Sequence, residues 1–585
     1  MKTSPKTTNT LKMTPVSAPR STGLSSWRGW LLAATTALLA ACGGSGSEPA
    51  ASPAPQPAPT TQAETTGATD ITNEAVLETM RRATRFIREN LAVNGGYVWA
   101  YAADGSRQWG EMEAYPQMVW IQPPGTATVG HVLLDAYHAT GDEYFYESAA
   151  EVAAGLIGAQ HPAGGWNYLH DFAGEESIQR WYDTIGKNGW RLEEFHHYYG
   201  NATFDDAGTS EASQFLLRMY LEKREAVYEA PLQKAIDFVL DSQYDNGGWP
   251  QRFPFVEDAP DLHGLPDYTR HITFNDDVAD ENIKFLLMVY QSLGDERALE
   301  SIKSAMEIFP ATLQPAPQAG WGLQHTVDTL DPIGARSYEP TALVTSSTAG
   351  NAAQMMDFFE WTGERRFLEP LPEVFDWLES VRLAPEQVVM TGREYPTFIE
   401  IGTNKAIFNH RRGSNVINGE YYHDYNPDNP IRHYSQWRSV NLDGLRERHA
   451  RLMETSPEDM RANSPLNRQD GFALPKYFSV TSLEVSDLNS NIGAVAIDRP
   501  DDERIRELVD GLNEAGYWPT PLRATSNPYI GDGPAEPAEG DFGGTHVGDA
   551  YDTSPYMTDD PETGISIGTY IQNMSALMQA YDSRQ

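Results

Sequence analysis

The sequence predicts an all-α chain built as an (α/α) barrel or partial toroid of repeated helix pairs. Three observations predict it. Amphipathic segments ending in a glycine–aromatic turn recur along the chain, each turn is followed by a second apolar helix, and little strand signal lies between them.

The first helices of the pairs are read at residues 75–90 before Asn94-Gly-Gly-Tyr97, 150–160 before Ala163-Gly-Gly-Trp166, 232–243 before Asn246-Gly-Gly-Trp249 and 301–314 before Gly320-Trp-Gly322. A weaker copy at 503–513 precedes Gly516-Tyr-Trp518-Pro519. In the first copy Val76, Met80, Ala83 and Ile87 recur at helical spacing and define one buried face. The glycines suit the left-handed turn that ends a helix, and the tryptophan ring is expected to fold over the helix end as a core anchor.

The second helices are read at 128–140, 210–220, 278–292, 347–362 and 565–581. Phe215, Leu216, Met219 and Tyr220 share a face in one copy, as do Phe285, Leu286 and Tyr290 in the next. Residues from about 409 to 500 break the rhythm. The tract Tyr421-Tyr-His-Asp-Tyr-Asn-Pro-Asp-Asn-Pro430 is loop-like and 477–485 alternates as a short strand would, so this stretch reads as a loop-rich insertion before the ring closes.

At the N-terminus Arg20 and Arg28 precede an apolar run over 30–41, too short to span a bilayer, that closes on Leu39-Ala-Ala-Cys42. This resembles a bacterial lipobox, and Cys42, the only cysteine of the chain, stands where lipidation needs it. Gly43 follows it. The resemblance implies a signal peptide over 1–42 and an outer-membrane lipoprotein, on the periplasmic or the cell-surface face. Residues 43–70 are mostly Gly, Ser, Pro, Ala and Thr, which cannot bury a core, and read as a disordered tether. A lone cysteine excludes an intrachain disulfide, so the domain over 71–585 must be held by its core; a monomer is expected.

The formal net charge of −39 argues against a nucleic-acid partner and against an anionic membrane surface, leaving the lipid anchor as the expected membrane contact. It also sets a condition. A polyanionic substrate would be repelled at long range unless a cation and a few arginines act locally.

The turns before the second helices supply those groups. Asn201-Ala-Thr-Phe-Asp205-Asp206 and Arg270-His-Ile-Thr-Phe-Asn275-Asp276-Asp277 are each a Thr-Phe extended step into acids at a helix start. Capping explains one acid per helix, but two doublets on neighbouring repeats would crowd four carboxylates together unless a cation sits between them. The two doublets, Asp205-Asp206 and Asp276-Asp277, are therefore candidate metal-binding acids. With no His or Cys among them the ion should be hard, Ca2+ first, or Mg2+ or Mn2+. A third turn, Asp331-Pro-Ile-Gly-Ala-Arg336-Ser-Tyr-Glu-Pro340, brings an arginine that could clamp a carboxylate. A fourth, Phe398-Ile-Glu-Ile-Gly-Thr-Asn404-Lys405-Ala-Ile-Phe408-Asn-His-Arg411-Arg412, is a basic and polar turn in an acidic chain.

Asn246-Gly-Gly-Trp-Pro-Gln251, Ile272-Thr-Phe-Asn-Asp276, Gly334-Ala-Arg-Ser-Tyr-Glu339 and Glu400-Ile-Gly-Thr-Asn404, in this order, resemble polysaccharide lyase family ten, the pectate lyases with an (α/α) toroid. The resemblance covers roughly 150–415 and departs from the family at Thr397 and Ile399. It implies Ca2+-assisted β-elimination in polygalacturonate or a related uronate glycan. It further implies Asp205 and Asp276 as metal ligands with Asp206 beside the first, Arg336 as the catalytic base that removes the C5 proton, and Arg411 as a substrate-binding arginine. Lys405, Asn404, Arg270 and Trp249 complete the expected substrate contacts. Two other readings stay open on the residues alone: a glycoside hydrolase using Asp206 and Asp276 as acid and base, and a non-catalytic glycan-binding lipoprotein.

Overall fold

The computed structural model describes residues 71–186, 193–257, 259, 266–412, 420–428, 430–431, 434–468, 473–478, 500–522 and 563–585. The signal segment, Cys42 and the tether lie outside the described residues. So does most of the strand expected at 477–485, of which Tyr477 and Phe478 are described and belong to no strand.

Fourteen α-helices are described: α1 Asn73–Asn90, α2 Thr126–Thr140, α3 Glu143–Ala159, α4 Glu175–Thr184, α5 Gly208–Lys223, α6 Ala226–Ser242, α7 Val278–Leu293, α8 Glu296–Thr312, α9 Thr345–Thr362, α10 Leu371–Val381, α11 Leu442–Glu454, α12 Pro457–Ala462, α13 Asp502–Gly511 and α14 Ile567–Asp582. Helices α14, α2, α5 and α7 pack side by side in that order as an inner row, and α1, α3, α6 and α8 lie against them as outer partners. Helix α9 continues the series, packed on α8, α10, α11 and α12. This is the (α/α) toroid. None of these helices is long and apolar enough to cross a membrane.

Burial separates the two rows and follows from composition. Outer helix α1 buries one stripe, Val76, Thr79, Met80, Ala83, Thr84 and Ile87, at three- and four-residue steps. Inner helix α5 buries every residue from Gly208 to Met219, so small and polar residues such as Thr209, Ser210 and Ser213 share its surface with Phe215 and Leu216. A helix packed on all sides has no amphipathic stripe to detect.

Inner helices α2, α5 and α7 each turn at once into the next outer one. Gly141 and Gly294 end α2 and α7 in the left-handed conformation, and the following Asp142 and Asp295 cap α3 and α8 through their carboxylates. The return connections, from outer to inner helix, are long and gather at the opposite end, where they pair as short antiparallel ladders.

The tryptophan plugs form as expected. The indole Nε1 of Trp166, Trp249, Trp321 and Trp518 donates to the carbonyl of Leu156, Val239, Phe309 and Leu508, each near the end of its outer helix. Gly247 makes the third copy possible: its φ is +92°, and a side chain there would run into the carbonyl of Ser304 in the next outer helix.

The stretch read as a loop-rich insertion carries the hairpin of strands Ala406–Arg412 and Glu420–Asp424, then α11 and α12. Both helices pack on α9 through residues such as Leu445, Leu452 and Met460, helices that the repeat pattern did not show.

Candidate active site

The two Thr-Phe steps are built alike. Thr203 and Thr273 sit in short strands, Phe204 and Phe274 pack into the core, and the chain then kinks into a helix start. The kink places Asp206 and Ala207 at φ of 49° and 56°, and Asp276 and Asp277 at 53° and 54°. Four residues other than glycine in the left-handed region, two in each turn, are strained backbone that the surrounding packing must impose. The result is that Asp205, Asp206 and Asp276 converge, with one carboxylate oxygen of each lying within 4.8 Å of the others. The fourth acid, Asp277, is not among them. One residue further along the kink, it is exposed to solvent and faces Glu281 and Lys284 of its own helix.

Arg336 closes the cluster. Its Nη2 donates to Asp205 Oδ2 at 2.6 Å and its Nη1 to Glu339 Oε1 at 3.2 Å. Nε lies 3.3 Å from Glu194 Oε2, and Nη1 lies 3.5 Å from Asp276 Oδ2. The same turn is pinned from below: Glu339 Oε2 accepts the backbone N–H of Arg336 at 3.0 Å, and Glu193 accepts both the backbone N–H and the hydroxyl of Ser337. Arg336 also faces the ring of Tyr268, 5.7 Å from its centre. The Arg336 side chain is 7% exposed, whereas the Asp276 side chain is 30% exposed, so the cluster opens to solvent at its Asp276 side.

Burial and like charge divide the acids into two kinds. Burial works to raise Asp205, but Arg336 and the Tyr168 hydroxyl hold its carboxyl below the ordinary range. Asp206 and Asp276 are pushed well up, by lost solvation first and then by Asp205 beside them. Glu194 is pushed up to about 8 by burial, against the pull of Arg336. Arg336 itself, among so many carboxylates, is held firmly as a cation despite its burial.

The residues fit a hard divalent cation. Asp205 Oδ2 is committed to Tyr168 and Arg336, while Oδ1 is buried without a hydrogen-bond partner. An orphaned carboxylate oxygen facing two further acids is an all-oxygen donor set of the kind Ca2+ takes. Asp206 is already oriented by Gln122, whose Nε2 donates to its Oδ2 at 2.6 Å.

Residues 181–425 match the family model described as Pectic acid lyase. These residues are a pectic acid lyase domain. The enzyme is accordingly a polysaccharide lyase of the pectate lyase kind. No curated protein matches the chain. Among solved structures, a family 10 polysaccharide lyase from Cellvibrio cellulosa is similar at 18% identity and a TM-score of 0.31, covering 48% of this chain and 84% of its own. A single-residue mutant of a family 10 polysaccharide lyase from the same organism, in complex with trigalacturonic acid, covers 56% of this chain and 99% of its own at 17% identity and a TM-score of 0.36. An alpha-1,6-mannanase from a Salegentibacter species covers 87% of this chain and 100% of its own at 13% identity and a TM-score of 0.33.

The lyase domain places the remaining predicted residues unevenly. Trp249 is 1% exposed and bonded to Val239, so it is a core plug and has no face for a sugar; this corrects its expected substrate contact. Asn404 and Lys405 lie in an exposed turn. There Asn404 Oδ1 accepts from Trp377 Nε1 at 2.9 Å and from Gln318 Nε2 at 2.8 Å, and Lys405 lies over Tyr425. Among the described residues no contact joins either one to the acid cluster. Arg270 is half-exposed, paired with Asp267 at 3.2 Å and bonded to the Val256 carbonyl. The Arg411 backbone lies on strand Ala406–Arg412, which reaches the Arg336 turn through Asn409, whose Nδ2 donates to the Tyr338 carbonyl at 2.7 Å; the Arg411 side chain lies outside the described residues.

Several site residues carried no visible signal. Glu339 stands inside the Gly334–Glu339 motif and could have been read as the partner of Arg336 three positions earlier. Glu193, Glu194, Tyr168, Gln122 and Tyr268 belong to no repeated pattern, and only folding brings them here.

Proposed function

We propose that the chain cleaves polygalacturonate, or a related uronate glycan, by Ca2+-assisted β-elimination, as a secreted lipoprotein of the outer membrane. One observation carries the reading: the arginine of the third turn meets the acids of the first two inside a site that is open on one side. Capping of two helices requires no such meeting.

Asp205, Asp206 and Asp276 would hold a divalent cation, which would neutralise the three acids and would supply positive charge beside the uronate carboxylate, where charge develops as C5 loses its proton. Once it has given one of its own guanidinium protons to solvent, Arg336 is placed to take that proton. The electron pair left on C5 forms the C4–C5 double bond, the C4–O bond breaks, and the leaving oxygen takes its proton from solvent. A guanidinium is a poor base while carboxylates hold it as a cation. Neutralising Asp205 and Asp276 weakens that hold, so the acids couple the proton affinity of Arg336 to the state of the site. Glu339 grips both the backbone and Nη1 of Arg336 and fixes the fork beside Asp205 and Asp276.

The test is to incubate the protein with polygalacturonate and with other uronate glycans, with and without chelator, in heavy-oxygen water. The expected result is a Ca2+-dependent rise in ultraviolet absorbance from an unsaturated product end, with no label entering the sugar at the cleaved bond. Label at that bond would establish hydrolysis, and full activity in excess chelator would remove the metal.

A further inference from the structure

Arg252 follows directly on the Trp249-Pro-Gln251 plug and is 2% exposed, yet among the described residues no carboxylate lies within ion-pairing distance of it. Its Nη1 donates to Asn167 Oδ1 at 3.2 Å and to Asn201 Oδ1 at 3.3 Å, while Nε and Nη2 have no acceptor. Burying a guanidinium without an anion is costly, so its position calls for a reason. Its charge is met instead by aromatic faces, since its central carbon lies 5.0 Å from the ring centres of both Tyr168 and Tyr199.

Two stretches of chain meet on this side chain, and both lead to the metal-site geometry. Asn167 precedes Tyr168, whose hydroxyl donates to Asp205 Oδ2. Asn201 opens the extended step into Asp205, and the backbone of Arg252 itself pairs with Thr203, two residues before that acid. Tyr168 can aim its hydroxyl at Oδ2 only while its ring is held, and the ring is held by Arg252 together with Phe195, 5.1 Å away centre to centre. With Oδ2 taken, Oδ1 is the oxygen left free. A carboxylate partner for Arg252 would have added another acid to an already crowded site; tyrosine faces accept the cation without competing for the metal.

We propose that Arg252 is a positioning residue, acting through Tyr168 to fix Asp205 so that Oδ1 is presented to a divalent cation. It rests on the proposed Ca2+ site and goes beyond it, since Arg252 touches neither ion nor substrate.

The experiment is a calorimetric titration of Ca2+ alone into the full-length protein, with no substrate, for wild type, Arg252→Met, Arg252→Lys, Tyr168→Phe and the Arg252→Met/Tyr168→Phe double variant. Outer-shell partners of metal ligands typically contribute about 10- to 100-fold in affinity, and each single variant is expected to weaken Ca2+ binding by at least about tenfold. Lys is included because it keeps the charge but loses the plane that spans two rings and two amides. The double variant should bind within roughly twofold of the weaker single, because both changes break one path. A lower unfolding temperature with unchanged Ca2+ affinity would make Arg252 a structural residue and overturn the proposal, as would losses that multiply in the double variant. If Arg252→Met does not fold, the same cycle is run with Arg252→Lys. A wild type that binds no Ca2+ would overturn the site itself, whereas a binding wild type with unaffected variants overturns only the role of Arg252.

Discussion

Arg336 Nη2 donates to Asp205 Oδ2 at 2.6 Å, joining two residues 131 positions apart in the chain. Both are buried, and the pair links the turn before α5 to the turn before α9. Asp205 is held ionised by this contact, while its neighbours Asp206 and Asp276 are driven toward their protonated forms. A site with one fixed charge and two adjustable ones can accept a cation without first losing its shape.

Replacing Arg336 separates proton transfer from carboxylate clamping. Arg336→Lys keeps a charge but cannot reach Asp205, Glu339 and Glu194 at once. Both Arg336→Lys and Arg336→Ala are expected to lose kcat by about 100-fold or more, the scale of a lost transition-state interaction. Oligogalacturonate binding should survive in both. Steady-state kinetics decide it: a Lys variant with near-normal kcat and a raised KM would move the base elsewhere.

The acids should differ in what they do for stability. Asp205→Ala leaves Arg336 buried without its closest counter-charge, and urea unfolding should report a loss of about 3–5 kcal/mol. Asp276→Ala removes a carboxyl from beside like charges and should leave stability unchanged or raised. Both variants should lack activity, and Ca2+ should restore a chelated wild type but neither of them. An active Asp276→Ala enzyme would take that residue out of the metal set.

Glu211, on α5, gives a pH signature. Burial pushes its carboxyl up from 4.5 to about 8, partly opposed by the Thr128 hydroxyl that donates to it at 2.7 Å. A raised acid means that the folded chain keeps a proton the unfolded chain gives up above pH 4.5. Stability attributable to this group therefore falls as pH rises from about 4.5 to about 8, by at most about 1.4 kcal/mol per pH unit, and is level beyond. Glu211→Gln should match wild type near pH 4.5 and gain on it up to pH 8. Unfolding midpoints at several pH values test this, and a gap that does not change with pH would show that Glu211 is ionised in the folded chain.

Trp249→Ala should act on the fold and not on the sugar. It removes a buried ring and the bond to Val239, a loss of about 3–5 kcal/mol in unfolding free energy. KM of the folded fraction should be unchanged. A raised KM with stability intact would return Trp249 to the substrate site.

The repeat and the acid turns were legible in the sequence because both are local. A helix writes its buried face every three or four residues, as Val76, Met80, Ala83 and Ile87 do, and the plug tryptophan stands close behind the helix it seals. The duplicated Thr-Phe step likewise announced Asp205, Asp206 and Asp276, since both copies run from Thr-Phe into acids at a helix start. Helices α10, α11 and α12 escaped because they do not end in the glycine–aromatic turn that marked the others.

What only the tertiary structure decided is which distant groups meet. Asp277 has the same charge as Asp276, but one further residue along a left-handed kink turns it onto its own helix. Glu193 and Glu194 carry no mark in the sequence, yet they lie buried against the Arg336 turn; Trp249 read as a sugar contact, yet it is sealed in the core. Sequence periodicity reports only what a residue's neighbours within a turn or two require of it. The pairing of Arg336 with Asp205, and of Arg252 with Tyr168, depends on how helix pairs stack around the ring, and that is set by packing between segments far apart in the chain.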